Sequence, residues 1–305
     1  MYDIIIIGGG PAGLTAAIYS LRAGKSVLVI EKENFGGQMT FSPKIENYPG
    51  FISISGSELA QNMVEQAIHQ GAELIMEEAE KIELLPSGIK KVVTDMAEYE
   101  AKAVIIAAGV KHRLLNVPGE ADFIGEGISF CAICDGAFYE GRDVAVIGGG
   151  NSALQEAVLL SKGCKKVTIV QNLDFLTGEK KLCEILEKAD NVEILLGYTV
   201  EKINGESELT GLDIKAVSDG SVKTLNADGI FTAIGLIPEC KAFDNVAELD
   251  GRGYIIAGED CCTKTAGIFV AGDCRTKRVR QVSAACSDGA ISSVAACDYI
   301  DKEFN

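Results

Sequence analysis

The sequence lacks a long hydrophobic run, a basic leader and an excess of positive charge. No apolar stretch among its 305 residues approaches the roughly 20 residues of a membrane-spanning helix. Met1-Tyr2-Asp3 passes directly into an isoleucine run without a basic segment, which argues against a signal peptide. With 28 Lys and Arg against 44 Asp and Glu, the formal charge of −16 would repel phosphate backbones. These absences predict a protein that acts neither in a membrane nor on nucleic acid.

Histidine is scarce, whereas cysteine is plentiful. The two histidines, His69 and His112, do not form a ligand pair, and Cys261-Cys262 lacks the spacing of a zinc site. The sequence therefore predicts no metal centre. Ten cysteines without an export signal favour the reducing cytoplasm, where thiols stay free and a disulfide is usually catalytic.

The first thirty residues carry the pattern of a dinucleotide-binding unit. Ile4–Ile7 has the continuous apolar character of a strand buried on both faces. A glycine-rich turn and a helix-compatible stretch follow, and Val27–Ile30 is a second strand that Glu31 ends. The glycines allow a pyrophosphate to approach the helix N-terminus, and the acid accepts from ribose hydroxyls. The turn comprises Gly8, Gly10, Pro11, Ala12 and Gly13.

The same pattern returns, in ungapped register, in the second half of the chain. Val144–Ile147 matches Ile4–Ile7, and the position that matches Glu31 is Gln171, a neutral amide. The second turn is therefore a candidate site for a pyridine nucleotide, although its glycines could also serve only close packing. Its residues are Gly148, Gly150, Asn151, Ser152 and Ala153.

Three further apolar segments indicate how the two units are completed. Val104–Gly109 and Gly229–Gly235 are short buried strands that end in small residues, and Ile268–Asp273 ends in an acid. We predict an α/β protein with two Rossmann-like, three-layer domains of the FAD/NAD(P)-binding type, the second inserted into the first. The predicted domains are residues 1–116 with 242–305, and residues 117–241.

Several motifs in a fixed order point to a family. They are Gly36-Gly37-Gln38, Asn47-Tyr48-Pro49-Gly50, Cys131-Ala132-Ile133-Cys134-Asp135, Gly148-Gly149-Gly150-Asn151-Ser152-Ala153, Ala271-Gly272-Asp273 and Arg280-Gln281-Val282. In this combination the chain resembles the low-molecular-weight thioredoxin reductases over essentially its whole length. The resemblance implies FAD in the first domain, a smaller pyridine-nucleotide domain that carries the dithiol, a homodimer, and thioredoxin or a thioredoxin-like protein as substrate.

The resemblance also implies which residues contact FAD. Glu31 would take the ribose, and Asp273 would reach the ribityl or phosphate part, although it could be an ordinary strand-end cap. The implied set is Gly8, Gly10, Pro11, Ala12, Gly13, Glu31, Lys32, Gly37, Gln38, Asn47, Ala108, Gly109, Gly272, Asp273, Arg280, Gln281 and Val282.

The dithiol would carry electrons from the flavin to the substrate. By the resemblance, Cys134 faces the flavin and Cys131 attacks the disulfide of the partner protein. The nucleophile is a thiolate, so a nearby group must take up and return a proton. Asp135 is the candidate for this role, and its alternative is a turn residue before Gly136.

The chain departs from the family pattern at the predicted nucleotide site. NADPH-dependent members carry His-Arg-Arg-x-x-x-Arg, whereas here Gln171–Thr177 contains no arginine. A 2′-phosphate prefers a bidentate cationic partner, so NADPH should bind poorly. The donor is then NADH, or a reduced ferredoxin that passes electrons directly to FAD. An acidic ferredoxin would need a basic patch, for which Arg275–Arg280 is the candidate.

Two other functions fit parts of the pattern. An FAD-dependent dithiol oxidase would use the same Cys-x-x-Cys motif on a small dithiol, with oxygen as the acceptor. A non-catalytic FAD-binding redox sensor would keep Glu31 and the glycines but would not need Asp135 beside a paired dithiol. Reduction of a thioredoxin disulfide distinguishes the reductase from both.

Overall fold

A computed structural model describes residues 1–304, which form two compact units. Unit 1 comprises residues 1–111 and the chain from 237 onward, and unit 2 comprises residues 112–236. The chain passes between the units in two short segments that pair with each other as strands, residues 110–112 and 236–238. This division lies slightly earlier in the chain than the predicted boundaries after residues 116 and 241.

The strands of residues 1–304 number 17. In chain order they are β1 (Tyr2–Ile7), β2 (Val27–Glu31), β3 (Glu73–Met76), β4 (Ala79–Leu84), β5 (Lys90–Thr94), β6 (Glu98–Ile106), β7 (Val110–His112), β8 (Ile128–Ser129), β9 (Asp143–Ile147), β10 (Lys166–Gln171), β11 (Val192–Leu196), β12 (Tyr198–Gly205), β13 (Leu209–Ala216), β14 (Val222–Asn226), β15 (Gly229–Thr232), β16 (Leu236–Pro238) and β17 (Ile268–Val270).

The α-helices connect these strands and cover the sheets. They are α1 (Pro11–Arg22), α2 (Gly56–His69), α3 (Glu120–Phe123), α4 (Ala132–Asp135), α5 (Asn151–Leu160), α6 (Lys180–Glu187) and α7 (Val282–Phe304). Short 3-10 helices span Gly37–Phe41, Gly136–Tyr139, Lys241–Phe243 and Gly272–Cys274. Within residues 1–304, no helix combines the length and the apolar character that crossing a bilayer demands.

Unit 1 is built on a seven-stranded sheet. Its order is β3-β2-β1-β6-β5-β4, and β17 pairs with the carboxyl half of β6. The strands β3, β2, β1, β6 and β17 are parallel, whereas β5 and β4 continue the sheet antiparallel. The isoleucine run Ile4–Ile7 lies in the centre of this sheet and is buried on both faces.

Helices α1 and α7 pack together on one face of the unit 1 sheet. A Cβ atom at Gly289 of α7 would lie 2.2 Å from the carbonyl oxygen of Ala12, so only glycine permits this close approach. The opposite face is covered by the segment between β16 and β17, including Phe243 and Ile255. The unit therefore has three layers.

Unit 2 repeats this arrangement at a smaller size. Its parallel sheet has the order β11-β10-β9-β15-β8, with the predicted strand Val144–Ile147 at its centre in β9. Helices α5 and α6 cover one face, and the antiparallel sheet β12-β13-β14 supplies Leu212 and Ile214 to the core on the other. The predicted fold class, two Rossmann-like α/β domains, is confirmed.

Candidate functional site

The first glycine turn is shaped by close backbone packing. A Cβ atom at Gly8, where φ is 110°, would lie 2.2 Å from the carbonyl oxygen of Ala107, and one at Gly13 would lie 1.9 Å from that of Gly8. Gly10 differs, because a Cβ atom there would meet nothing within 4 Å. It caps α1 with extended backbone (φ −76°) and no side-chain hydrogen bond. The turn therefore leaves open space at the N-terminus of α1.

Glu31 holds its carboxylate beside this turn. Its Oε2 accepts a hydrogen bond from the backbone N–H of Gly9 at 2.7 Å, and its Oε1 accepts one from Glu33 at 2.8 Å. The neighbouring Lys32 pairs instead with Glu239 at 2.9 Å and Glu78 at 3.5 Å. Glu31 is therefore placed at the turn, whereas the Lys32 ammonium is engaged by acids.

The carboxyl ends of three parallel strands bring other predicted residues to the turn. Gly37 lies against Gly10, with a Cβ position 3.4 Å from the Gly10 Cα. Gly272, which follows β17, would place a Cβ atom 2.9 Å from that of Ala12. Ala108 and Gly109 lie just beyond the end of β6 at Ile106, so all these segments meet at one edge of the unit 1 sheet.

A side-chain hydrogen bond links two other distant predicted residues. Asn47 Nδ2 donates to Gln281 Oε1 at 3.1 Å. Gln38 lies in the 3-10 helix that begins at Gly37, and Val282 is the first residue of α7. The structure thus brings segments from the beginning and end of the chain together within unit 1.

Asp273 has an unsatisfied buried oxygen in this region. Its Oδ1 is shielded from solvent and has no hydrogen-bond partner. Burial raises the pKa of its carboxyl to about 6, against the opposing effects of Lys277 and Arg280. A buried polar atom without a partner is rare and indicates a missing ligand or water.

The basic run near Asp273 does not form the docking patch considered from the sequence. Arg275 donates two hydrogen bonds of 2.8 Å to Asp288, and Lys277 contacts the same carboxylate at 2.8 Å. Both cations are buried there, and Arg280 donates to the carbonyl oxygen of Asp273 at 3.3 Å. Only Arg278 remains as an exposed cation in the run.

Asp288 was missed by the sequence interpretation. It is 4% exposed, and besides Arg275 and Lys277 it accepts the backbone N–H of Gly272 at 3.0 Å. The cations hold the pKa of this carboxyl below its usual range although burial opposes them. The sequence feature that could have identified Asp288 is the presence of an acid within the largely apolar sequence of α7.

The dithiol lies in unit 2 as a closed pair. Cys131 and Cys134 form a disulfide with their Cα atoms 5.3 Å apart. Cys131 caps α4, and its Sγ accepts a hydrogen bond from the backbone N–H of Cys134 at 3.2 Å. Ile133, between the two cysteines, is 67% exposed. The motif therefore presents an apolar surface beside the sulfur atoms.

Asp135 closes the four-residue helix α4. Its Oδ2 accepts a hydrogen bond from Ser129 Oγ at 2.6 Å, and that hydroxyl accepts the N–H of Cys131 at 3.1 Å. Its Oδ1 is buried without a partner. Burial raises the pKa of Asp135, although the Ser129 hydrogen bond lowers it. Asp135 is thus connected through Ser129 to the backbone of the dithiol and retains the proton to higher pH than a free carboxyl.

The second glycine turn keeps the form of the first. Gly148 has φ 127°, and its Cβ position is 2.6 Å from the carbonyl oxygen of Ala233, as Gly8 approaches Ala107. Gly150 caps α5 with extended backbone (φ −86°) and no side-chain hydrogen bond. A Cβ atom there would meet only Thr177 Oγ1, at 3.7 Å. The N-terminus of α5 is therefore also open.

The loop after β10 presents no arginine to the second turn. Gln171 is buried against Gly149, and its Nε2 donates to the carbonyl oxygen of Phe175 at 3.4 Å. Asn151 Oδ1 accepts the N–H of Glu179 at 2.6 Å, which ties the loop to α5. Ser152 and Ala153 lie in the first turn of α5, exposed and buried respectively.

Glu156 is a second acid that the sequence interpretation missed, half-buried with one carboxyl oxygen shielded from solvent. It lies on α5 one turn before Leu160, which packs near the Cβ position of Gly136. Its Oε2 is buried without a partner, and burial raises the pKa of its carboxyl to about 8. The folded chain therefore holds a proton that the unfolded chain releases at lower pH.

Replacing Glu156 with glutamine should stabilise the protein at alkaline pH. The folded pKa is raised, so the stability of the wild type falls as pH rises from about 4.5 to about 8. We expect E156Q to raise the free energy of unfolding by roughly 3 kcal/mol at pH 8.5 and by little at pH 5. Urea denaturation at both pH values measures this, with E187Q on exposed α6 surface as the control. A gain that is equal at both pH values would contradict it.

Comparisons with known proteins give the family. The model of the pyridine nucleotide-disulphide oxidoreductases matches residues 2–289. A thioredoxin reductase of Listeria monocytogenes is 40% identical over 99% of this chain and 95% of its own. A 34.2 kDa protein encoded in the rubredoxin operon of Clostridium pasteurianum is 41% identical over 98% of this chain and 97% of its own.

A solved structure agrees with this relationship. The thioredoxin reductase of Streptococcus pyogenes superposes with a TM-score of 0.94 at 40% identity and covers 99% of each chain. Among residues 1–304, no cluster of three or more His, Cys, Asp or Glu is arranged to hold a metal ion. With matches over nearly its whole length, the chain belongs to the pyridine nucleotide-disulphide oxidoreductase family and, within it, to the low-molecular-weight thioredoxin reductases.

Proposed function

We propose that this chain is an FAD-dependent reductase of the disulfide of thioredoxin or a similar protein, with NADH or reduced ferredoxin rather than NADPH as donor. The observation that supports it most is the closed Cys131–Cys134 pair beside the buried carboxyl of Asp135, in a chain of this family. The test is the anaerobic reduction of a thioredoxin disulfide by the flavin-loaded protein. Failure to reduce it would reject the proposal.

The residues of unit 1 fit FAD. The N-terminus of α1 has no side-chain cap, the space at Gly10 is open, and Asp273 Oδ1 needs a hydrogen-bond donor. We assign the pyrophosphate to the first glycine turn and a ribose to Glu31. The remaining assigned contacts are Lys32, Gly37, Gln38, Asn47, Ala108, Gly109, Gly272, Asp273, Arg280, Gln281 and Val282. When bound, the flavin supplies transfer of two electrons between the donor and a disulfide.

In the proposed reaction, Cys131 attacks the substrate. The N–H of Cys134 donates to Cys131 Sγ, which stabilises a thiolate there. That thiolate attacks one sulfur of the substrate disulfide and forms a mixed disulfide, and the other substrate sulfur leaves with a proton. Cys134 then loses its proton and attacks Cys131 Sγ, which releases the reduced substrate. Asp135 holds and returns the proton in these steps.

The donor assignment depends on the second turn. Its open N-terminus and retained backbone form support NADH, with Gly148, Gly150, Asn151, Ser152, Ala153 and Gln171 as the proposed contacts. The buried amide of Gln171 carries no charge to balance a 2′-phosphate. The burial of Arg275 and Lys277 removes the patch considered for ferredoxin, so the structural features favour NADH.

An anaerobic titration of the yellow protein tests the donor. We expect NADH to bleach the flavin absorbance at least about ten times faster than NADPH, because a phosphate without a cationic partner forfeits a charge-assisted hydrogen bond of 1.5–3 kcal/mol. Reduced ferredoxin is titrated in parallel, and bleaching by ferredoxin alone would make the second turn a packing element. Rapid bleaching by NADPH would show that the missing arginines do not decide specificity.

Assembly and location are carried over with the family. We propose a homodimer in the cytoplasm. The eight free cysteines of the chain are consistent with a reducing compartment. Sedimentation of the flavin-loaded protein tests the dimer.

A further inference from the structure

Two cysteines outside the Cys131–Cys134 motif meet in the core of unit 1. Cys240 and Cys274 are both 0% exposed and belong to the same buried cluster. The thiol of Cys240 donates a hydrogen bond of 3.6 Å to the carbonyl oxygen of Cys274, and the two side chains lie close enough for each to shift the pKa of the other. Two segments distant in sequence therefore place a pair of thiols side by side.

The pair lies near the edge of the unit 1 sheet at which Gly109 and Gly272 meet the first glycine turn. Cys274 ends the 3-10 helix that contains Asp273, and its thiol lies 3.3 Å from the carbonyl oxygen of Ala271 and 3.6 Å from that of Ile106. Cys240 caps the 3-10 helix Lys241–Phe243, which follows β16. A covalent bond between the thiols would tie these two loops together.

We propose that Cys240 and Cys274 are a second redox-active pair, which a hydroperoxide closes to a disulfide and a dithiol reductant reopens. The proposal does not depend on the identity of the electron donor or the protein substrate. It goes beyond the reductase reaction, which uses only Cys131 and Cys134.

The order of the two steps follows from the surroundings of each thiol. The neighbouring Cys240 side chain lowers the pKa of the Cys274 thiol, whereas the same interaction and burial raise the pKa of Cys240. Cys274 therefore attacks the O–O bond of hydrogen peroxide, which gives a sulfenic acid and one water. The Cys240 thiol attacks that sulfur and releases a second water. Two thiols and one peroxide thus yield one disulfide and two waters.

Burial sets the rate of this chemistry. Neither sulfur is open to solvent, so peroxide must enter through local opening of the loops. Cys262 is exposed and should therefore react with peroxide sooner than the buried pair. Its oxidation serves as the reference for a cysteine that burial does not protect. The buried pair should close more slowly and then resist further oxidation, because no thiol remains.

Peptide mapping of the flavin-loaded protein tests the proposal. The protein is reduced, freed of reductant, treated with hydrogen peroxide, denatured with N-ethylmaleimide and digested. We expect a peptide that joins Cys240 to Cys274, with neither of these two thiols alkylated, and its loss after dithiothreitol. If both cysteines are still fully alkylated after a treatment many times longer than the one that oxidises Cys262 completely, the proposal is overturned.

Matched variants secure the assignment. C240A should abolish the joined peptide and leave Cys274 alkylated or singly oxidised, whereas C297A, at another buried cysteine, should retain it. The wild-type mapping needs no substitution, so the outcome stands even where a buried variant folds poorly. Disulfides that join Cys274 equally to Cys261 or Cys262 would also overturn the proposal, because they would show scrambling after unfolding.

Discussion

Serine at Cys134 will stop electron transfer from reduced flavin to thioredoxin, and serine at Cys131 will do the same. The complete transfer needs both sulfurs, since Cys131 forms the mixed disulfide and Cys134 resolves it. We expect the rate to fall at least about 10³-fold in either variant, as for other enzymes that lose a nucleophile. The measurement is a single turnover: chemically reduced flavin protein is mixed anaerobically with oxidised thioredoxin, and reoxidation is followed by absorbance.

This design separates the dithiol from the donor and from folding. Chemical reduction removes any need for a nucleotide or ferredoxin, and the proposed flavin contacts lie in unit 1, whereas both cysteines lie in unit 2. Both variants should therefore stay yellow. C183S, at a half-buried cysteine of α6 in the same unit, should react like the wild type. Reoxidation above a tenth of the wild-type rate in C134S would reject the proposed role of the dithiol.

Alanine at Gly10 should remove FAD without unfolding the protein. The backbone there is extended, and the added methyl group would meet no protein atom within 4 Å, so stability should change by less than about 1 kcal/mol. The methyl group would, however, fill the open space at the N-terminus of α1. It would keep the pyrophosphate from two backbone N–H groups, each contributing at least about 1.5 kcal/mol. We expect FAD to bind about 100-fold more weakly.

The repeated fold supplies a matched control for this substitution. Gly150 caps α5 as Gly10 caps α1, with Thr177 Oγ1 3.7 Å from its Cβ position. G150A should keep full flavin content, measured by absorbance and by equilibrium dialysis of the apoprotein with FAD. If NADH is the donor, G150A should also slow bleaching by NADH but not by dithionite. Equal flavin affinity in G10A and the wild type would contradict the assignment of the pyrophosphate to the first turn.

Sequence alone could predict the elements that local pattern determines. The apolar runs Ile4–Ile7 and Val144–Ile147 became central strands because a strand buried on both faces has no polar position. Gly8 and Gly148 open the turns that follow these strands because only glycine tolerates their left-handed backbone and close contacts. Because the repeat has no gaps, the strand and turn positions of the first unit predicted those of the second.

Long-range pairings could not be predicted in the same way. The partner of Arg275 is Asp288, on a helix that lies elsewhere in the sequence, and no local pattern joins them. A run of cations usually forms a solvated surface, so its burial was unexpected. The contact between Cys240 and Cys274 likewise exists only after β16 and β17 have been placed. The roles assigned to the individual flavin and nucleotide contacts stay predictions.

The burial of Asp288 with two cations has a consequence for behaviour in salt. Mobile ions screen the attraction between exposed charges, with a screening length of about 10 Å at 0.1 M, but they screen a buried ion pair much less. Arg275 and Lys277 therefore stay fixed to α7 at ionic strengths that loosen exposed pairs such as Lys180 with Glu184. The loop from Asp273 to Lys277 therefore stays attached to α7 at high as well as at low salt concentration.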